Sequence, residues 1–122
     1  MNVPTRSTLR SQVVMAEHTD MRALLMDQEE HIEQAARAMK AMSHPLRLKI
    51  LCVLGDREFT VQHIVESVGT SQSNISQHLA ILREKGVLRT RKDANRVYYR
   101  VSDSRTLSLL GMMREVFCGV AD

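Results

Sequence analysis

Two cysteines, Cys52 and Cys118, are the residues of this chain best suited to covalent chemistry. A thiol ionises near neutral pH, and the thiolate attacks sulfur and peroxide electrophiles. Cys52 stands in the apolar run KILCVL, and Cys118 follows Phe117 in VFC. A cysteine within an apolar helix is also a common buried core residue, so Cys52 carries both readings. Each thiol lies late in the helix expected to hold it, where the helix dipole disfavours an anion. Lys49, three residues before Cys52, and Arg114, four before Cys118, are the cations placed to offset that.

A second group suits recognition rather than reaction. Ser71, Gln72, Ser73, Ser76 and Gln77 crowd one end of the segment SQSNISQHLAILREK. Short hydroxyls and amides reach base edges without filling a groove, and glutamine can pair with adenine through two hydrogen bonds. The free amides at a helix start also attract phosphate. Arg89, Arg91, Lys92, Asn95 and Arg96 follow directly. Between Arg83 and Arg100 seven cations (Arg83, Lys85, Arg89, Arg91, Lys92, Arg96, Arg100) face two acids, Glu84 and Asp93. A basic stripe of this kind is either a solvated surface or a polyanion-binding face, and the polar helix beside it favours duplex DNA. The helix would read sequence, and the cations would hold phosphates and set the salt dependence.

The elements that must position these groups follow from periodicity and punctuation. The chain has 122 residues, a net charge of +3, 43% hydrophobic residues and only 3% aromatic ones, so aliphatic side chains and methionine must fill the core of packed helices. Residues 1–18, with Pro4 and several Ser and Thr, read as a flexible tail, and residues 19–122 as one domain. From about Asp20 to Met42, Leu25, Ile32, Ala35, Ala36, Met39 and Met42 recur at helical spacing. That helix exceeds what so small a core needs and suits a dimer interface. Ser43 is the expected cap of a second helix, with Pro45 in its first turn and Gly55 as its stop. Phe59 leads into a third helix capped by Thr60 and ended by Gly69; Ser71 caps a fourth that ends at Gly86. Two strands, VLRTRK and RVYYRV, join at Asp93-Ala94-Asn95, and Asp103 or Ser102 caps a last helix, SRTLSLLGMMREVFC. In the fourth helix Ile75, Leu79 and Leu82 share the core face. About five helices, two of them joined by a tight turn and followed by a hairpin, spell a mainly α winged helix-turn-helix.

No apolar run approaches the ~20 residues of a membrane span, and no secretory signal opens the chain, so a cytoplasmic protein with reduced thiols is expected. A thiol-disulfide enzyme is the reading from another class. It lacks support: the chain has no C-x-x-C pair, no nucleophile elbow and no glycine-rich phosphate loop, so neither catalytic residue nor cofactor is expected.

The segments AMSHPLRLKILCVL and SQSNISQHLAILREKGVLRTRKDANRVYYRVSD resemble the ArsR/SmtB family of bacterial repressors over about residues 30–120. The resemblance implies a homodimer built from the first and last helices. It also implies an operator of two-fold symmetry and release on binding an inducer. Metal sensing is the family's best-known use, but two familiar sites lack their ligands. An Asp-x-His start to the last helix reads Asp103-Ser104-Arg105 here, and the third-helix region EFTVQHI holds no cysteine. His18, His31, His44, His63 and His78 are scattered without ligand spacing, so no metal site is expected, and a metal-responsive repressor with a non-standard site stands as the alternative. The cysteines, 66 residues apart, resemble a subgroup that senses persulfides and polysulfides. That likeness implies reactive sulfur species as inducer and a di- or tetrasulfide link between Cys52 and Cys118.

Overall fold

The structure, a computed structural model, describes residue 22 and residues 29–119. The expected tail over residues 1–18 and the expected helix start near Asp20 lie outside them. The first fully described helix, α1, spans Glu29–Met42. The chain divides after Ala36, and the unit beginning at Arg37 holds the core.

In that unit α2 (Pro45–Leu54) begins one residue later than the expected Ser43 cap allows. His44 is the cap: its backbone is extended, with φ −154° and ψ 132°, and its Nδ1 accepts from the Leu46 amide at 3.1 Å. The reason is Pro45, whose ring excludes the helical conformation from the residue before it. Gly55 stops α2, its amide donating to the Leu51 carbonyl.

Phe59–Thr60 form a two-residue strand, β1, where only a lead-in and a cap were expected. Thr60 does both jobs, its Oγ1 also capping α3 (Val61–Val68) through the His63 amide at 3.2 Å. Gly69, left-handed at φ 84°, ends α3 and turns the chain into α4 (Gln72–Glu84). Two strands follow, β2 (Leu88–Asp93) and β3 (Arg96–Val101), in a sheet of order β1-β3-β2, antiparallel throughout. The connection is a two-residue turn rather than three, because Asp93 pairs with Arg96 in the ladder. Ala94 carries the turn at φ 54°, the positive φ that tight hairpins require.

The last helix, α5, spans Arg105–Cys118. Ser104 occupies its cap position without a side-chain bond, and Asp103, one of the two expected caps, reaches past it: Oδ1 accepts from the Arg105 amide at 2.9 Å.

Ile50, Leu51 and Leu54 of α2, Ile64 of α3, and Ile75, Leu79 and Leu82 of α4 are fully buried and meet Leu88 and Val101 at the base of the hairpin. Among the described residues five helices and the small sheet make a winged helix-turn-helix, with α1 first and α5 last in chain order. Leu109, Met112, Met113, Val116 and Phe117 of α5 stay exposed, Phe117 at 79%. The end of α1, the start of α2 and the middle of α5 enclose an apolar groove of about 610 Å³ lined by Met39, Met42, Leu48, Leu109 and Met113.

Candidate nucleic-acid interface

The exposed face of α4 follows from its buried one. With Ile75, Leu79 and Leu82 committed to the core, a period of 3.6 turns Gln72, Ser73, Ser76 and Gln77 outward, and all four are exposed. Ala80 extends the same stripe by one turn. Alanine carries no polar signal, so only its spacing of four from Ser76 marks this position in the sequence. Ser71 is exposed, but its Oγ already accepts from the Asn74 amide at 3.1 Å and so organises the helix start. Asn74 in turn donates from Nδ2 to the Thr70 Oγ1 at 3.2 Å.

The back of α4 is held by one arginine and two imidazoles. Arg47 of α2 donates from Nε to the His78 Nδ1 at 3.1 Å and from Nη1 to the Ala41 carbonyl at 2.9 Å. The ring of His44 lies over that of His78, centroids 4.5 Å apart. Of five histidines that are scattered along the sequence, the fold therefore brings His44 and His78 together, with Arg47 linking His78 to the Ala41 carbonyl. Burial lowers the proton affinity of His78, and the neighbouring His44 and Arg47 add to the effect. Among the described residues no group of three or more His, Cys, Asp or Glu could hold a metal ion.

The hairpin divides its cations by register. Arg89 faces Arg100, Arg91 faces Tyr98, Lys92 faces Val97 and Asp93 faces Arg96 across the ladder. Alternation puts Arg89 and Arg91 on one face, as expected, together with Arg100 and Tyr98. Arg89, Lys92, Asn95 and Arg96 are exposed, and the three cations among them make no ion pair among the described residues. Arg91 differs. Its Nη2 and Nε donate to Glu58 Oε1 and Oε2 at 2.8 and 3.2 Å, and its guanidinium lies 4.6 Å from the centroid of the Tyr98 ring. The hydrogen bond from Arg91 holds the Glu58 carboxyl below its ordinary range, with the charges of Arg91, Arg100 and Arg89 acting in the same direction. Arg100, half-buried and opposite Arg89 in the ladder, has its Nε buried with no hydrogen-bond partner among the described residues. Glu58 and Tyr98 are the participants that pattern reading passes over. Glu58 has no signal because β1, which brings it to the hairpin, is too short to show alternation.

Both thiols are free and exposed. The buried-core reading of Cys52 therefore fails: it sits between buried Leu51 and half-buried Val53, on the outward side of α2. Lys49 is exposed one turn before it. Cys118 is the last residue of α5, followed by Gly119 in the left-handed region. Among the described residues no helix is long and apolar enough to cross a membrane.

Comparison with known proteins places this geometry. Residues 44–90 match the pattern described as "Bacterial regulatory protein, arsR family". The chain is 33% identical over 92 residues to the biofilm growth-associated repressor of Xylella fastidiosa, covering 75% of this chain and 81% of that one. Among solved structures, reduced HlyU from Vibrio cholerae aligns with a TM-score of 0.65 at 36% identity, over 75% of this chain and 97% of that one. The homodimeric winged helix-turn-helix DNA-binding domain of a possible ArsR-family transcriptional regulator from Mycobacterium bovis aligns with a TM-score of 0.69 at 26% identity, over 79% of this chain and 89% of that one.

Proposed function

The chain belongs to the arsR family of bacterial regulatory proteins, and on that footing we propose that it is a homodimeric repressor released from its operator when Cys52 and Cys118 react with sulfane sulfur or another oxidant. The observation that carries the DNA reading is the exposed Gln72-Ser73-Ser76-Gln77 face, followed in sequence by a hairpin that bears exposed Arg89, Lys92 and Arg96. The helix face enters the major groove and discriminates bases. Ser71 aligns the helix start, and Asn95 with Arg89, Lys92 and Arg96 meets the backbone and supplies most of the salt dependence.

Two subunits pair through α1 and α5. The exposed Leu109, Met112, Val116 and Phe117 favour this, because so much apolar surface on one helix is unusual in a free monomer. The homodimeric Mycobacterium bovis domain supports the same state. Pairing presents α4 twice and calls for an operator of two-fold symmetry.

The thiol reading rests on the exposure of both cysteines and on the resemblance of their placement to sulfur-sensing members of the family. One thiolate attacks a sulfane sulfur of an inorganic polysulfide and keeps it as a persulfide, while the shortened sulfide leaves. The second thiolate then displaces hydrosulfide from that persulfide. The two thiols are oxidised to a disulfide, and the polysulfide takes up the two electrons. Insertion of further sulfane sulfur gives a tetrasulfide. Such a link constrains α5 against α2, and because α5 is also the dimer helix, it changes how the two α4 helices are spaced.

The test is a titration of reduced protein onto a duplex that it has selected from a randomised pool, repeated with polysulfide, with peroxide and with zinc. The reading expects loss of binding with polysulfide and a Cys52–Cys118 sulfur link by mass spectrometry. A Cys52→Ser variant that still releases DNA on polysulfide treatment refutes the thiol mechanism. Release by stoichiometric zinc with both cysteines dispensable establishes the metal-responsive alternative instead.

A further inference from the structure

We propose that Arg91 is a positioning residue that braces the wing, held by Glu58 and Tyr98, and does not hold phosphate; this rests on the DNA reading above. By charge and spacing Arg91 is equivalent to Arg89 and Arg96. Its surroundings separate it from both. The guanidinium meets the Glu58 carboxylate through two hydrogen bonds at 2.8 and 3.2 Å, the matched fork geometry that makes arginine–carboxylate pairs directional. Its other face lies 4.6 Å from the Tyr98 ring centroid, within cation–π range. Asp93 stands 3.7 Å from Nη1. A phosphate would have to displace a carboxylate and pull the guanidinium off the ring.

The topology says what this arrangement does. Glu58 immediately precedes β1, and Arg91 lies on β2, the far strand of the order β1-β3-β2. The ion pair therefore crosses over the middle strand, with Tyr98 of β3 beneath it. One strap ties all three strands together. The body holds the hairpin weakly at this level, because β1 offers β3 only two paired positions, Phe59 with Tyr99 and Thr60 with Tyr98. Arg91 and Glu58 are 49% and 34% exposed, so the pair adds little to global stability. Its effect is on the angle at which the hairpin leaves the body, which decides whether Lys92, Asn95 and Arg96 at the tip reach the backbone while α4 is seated in the groove.

The experiment uses the full chain and four variants: Glu58→Gln, Arg91→Gln, the double variant, and Arg96→Gln as the phosphate control. Binding to the selected duplex is measured across salt concentration. Glu58→Gln and Arg91→Gln should each weaken binding by about three- to tenfold, and the double variant should be no worse than either, as for two residues of one contact. Neither should change the salt slope, whereas Arg96→Gln should reduce it by about 0.9. Amide exchange in the free protein should quicken in β2 and β3 of the first three variants and stay unchanged in α4. If Glu58→Gln tightens binding, or Arg91→Gln lowers the slope as Arg96→Gln does, Arg91 is a phosphate ligand and the brace is wrong. Unchanged exchange in β2 and β3 also overturns it. If the wild type shows no salt-dependent binding at all, the DNA reading falls and takes this role with it; if the wild type binds and the variants match it, only the brace falls.

Discussion

The Arg47 guanidinium ties the back of α4 to α2 by donating from Nε to the His78 Nδ1 at 3.1 Å. That bond needs an unprotonated nitrogen on His78. Burial, then His44, then Arg47 itself all oppose a proton there. The unfolded chain accepts that proton more readily than the native one, so stability rises with pH across this group's range. It is complete above the ordinary imidazole value of 6.5 and declines as pH falls from there through the lower native value. Denaturation midpoints from pH 8 to 5 should show this decline, and His78→Gln, which keeps an acceptor, should flatten it. An unchanged pH profile in the variant would show that another group titrates.

Ser71 separates helix stability from recognition. Its Oγ caps α4 through the Asn74 amide at 3.1 Å. Ser71→Ala should cost about 1 kcal/mol, the usual worth of such a cap, in a urea titration. Ser71→Asp should restore the stability and still weaken DNA binding, because it sets a carboxylate against phosphate. Equal affinity for Ser71→Asp and the wild type would move the helix start away from the DNA.

Gln72 and Arg96 should fail in different ways. Gln72→Ala should lose about 1–3 kcal/mol on the selected duplex and little on bulk genomic fragments, which relaxes preference at one base position. Arg96→Ala should weaken both by a similar factor. A uniform loss for Gln72→Ala would place that side chain on the backbone instead.

The exposed end of α5 predicts the assembly state. Val116 and Phe117 are 65% and 79% exposed although both are large and apolar. Val116→Lys should shift the protein from dimer to monomer in sedimentation and abolish operator binding, with the far-ultraviolet spectrum of the monomer preserved. A Val116→Lys protein that remains dimeric would place the interface elsewhere.

Much of this molecule was legible in one dimension. The run Thr60, Gly69, Ser71, Gly86 punctuates helices that occur where caps and left-handed stops require them, because those signals act within one turn of the chain. The polar stripe of α4 was legible for the same reason: Ile75, Leu79 and Leu82 fix its phase, and the outward residues follow by subtraction. The division of the hairpin into faces follows from a period of two. Local errors had local causes. Pro45 moved the cap from Ser43 to His44, and Asp103 reached past Ser104 to its amide.

What the linear chain settled for itself was thus each element whose signal lies within a few residues, and with it the winged helix-turn-helix and the exposed polar face of α4. Tertiary structure alone decided which equivalent-looking side chains find partners. Glu58 and Arg91 meet across 33 residues, and Arg47 and His78 across 31. Cys52 emerges exposed from an apolar run that suggested burial. The physical reason is common to all three. Periodicity fixes the face of an element, but the occupant of the space opposite that face depends on how distant elements pack, and no short-range pattern encodes it.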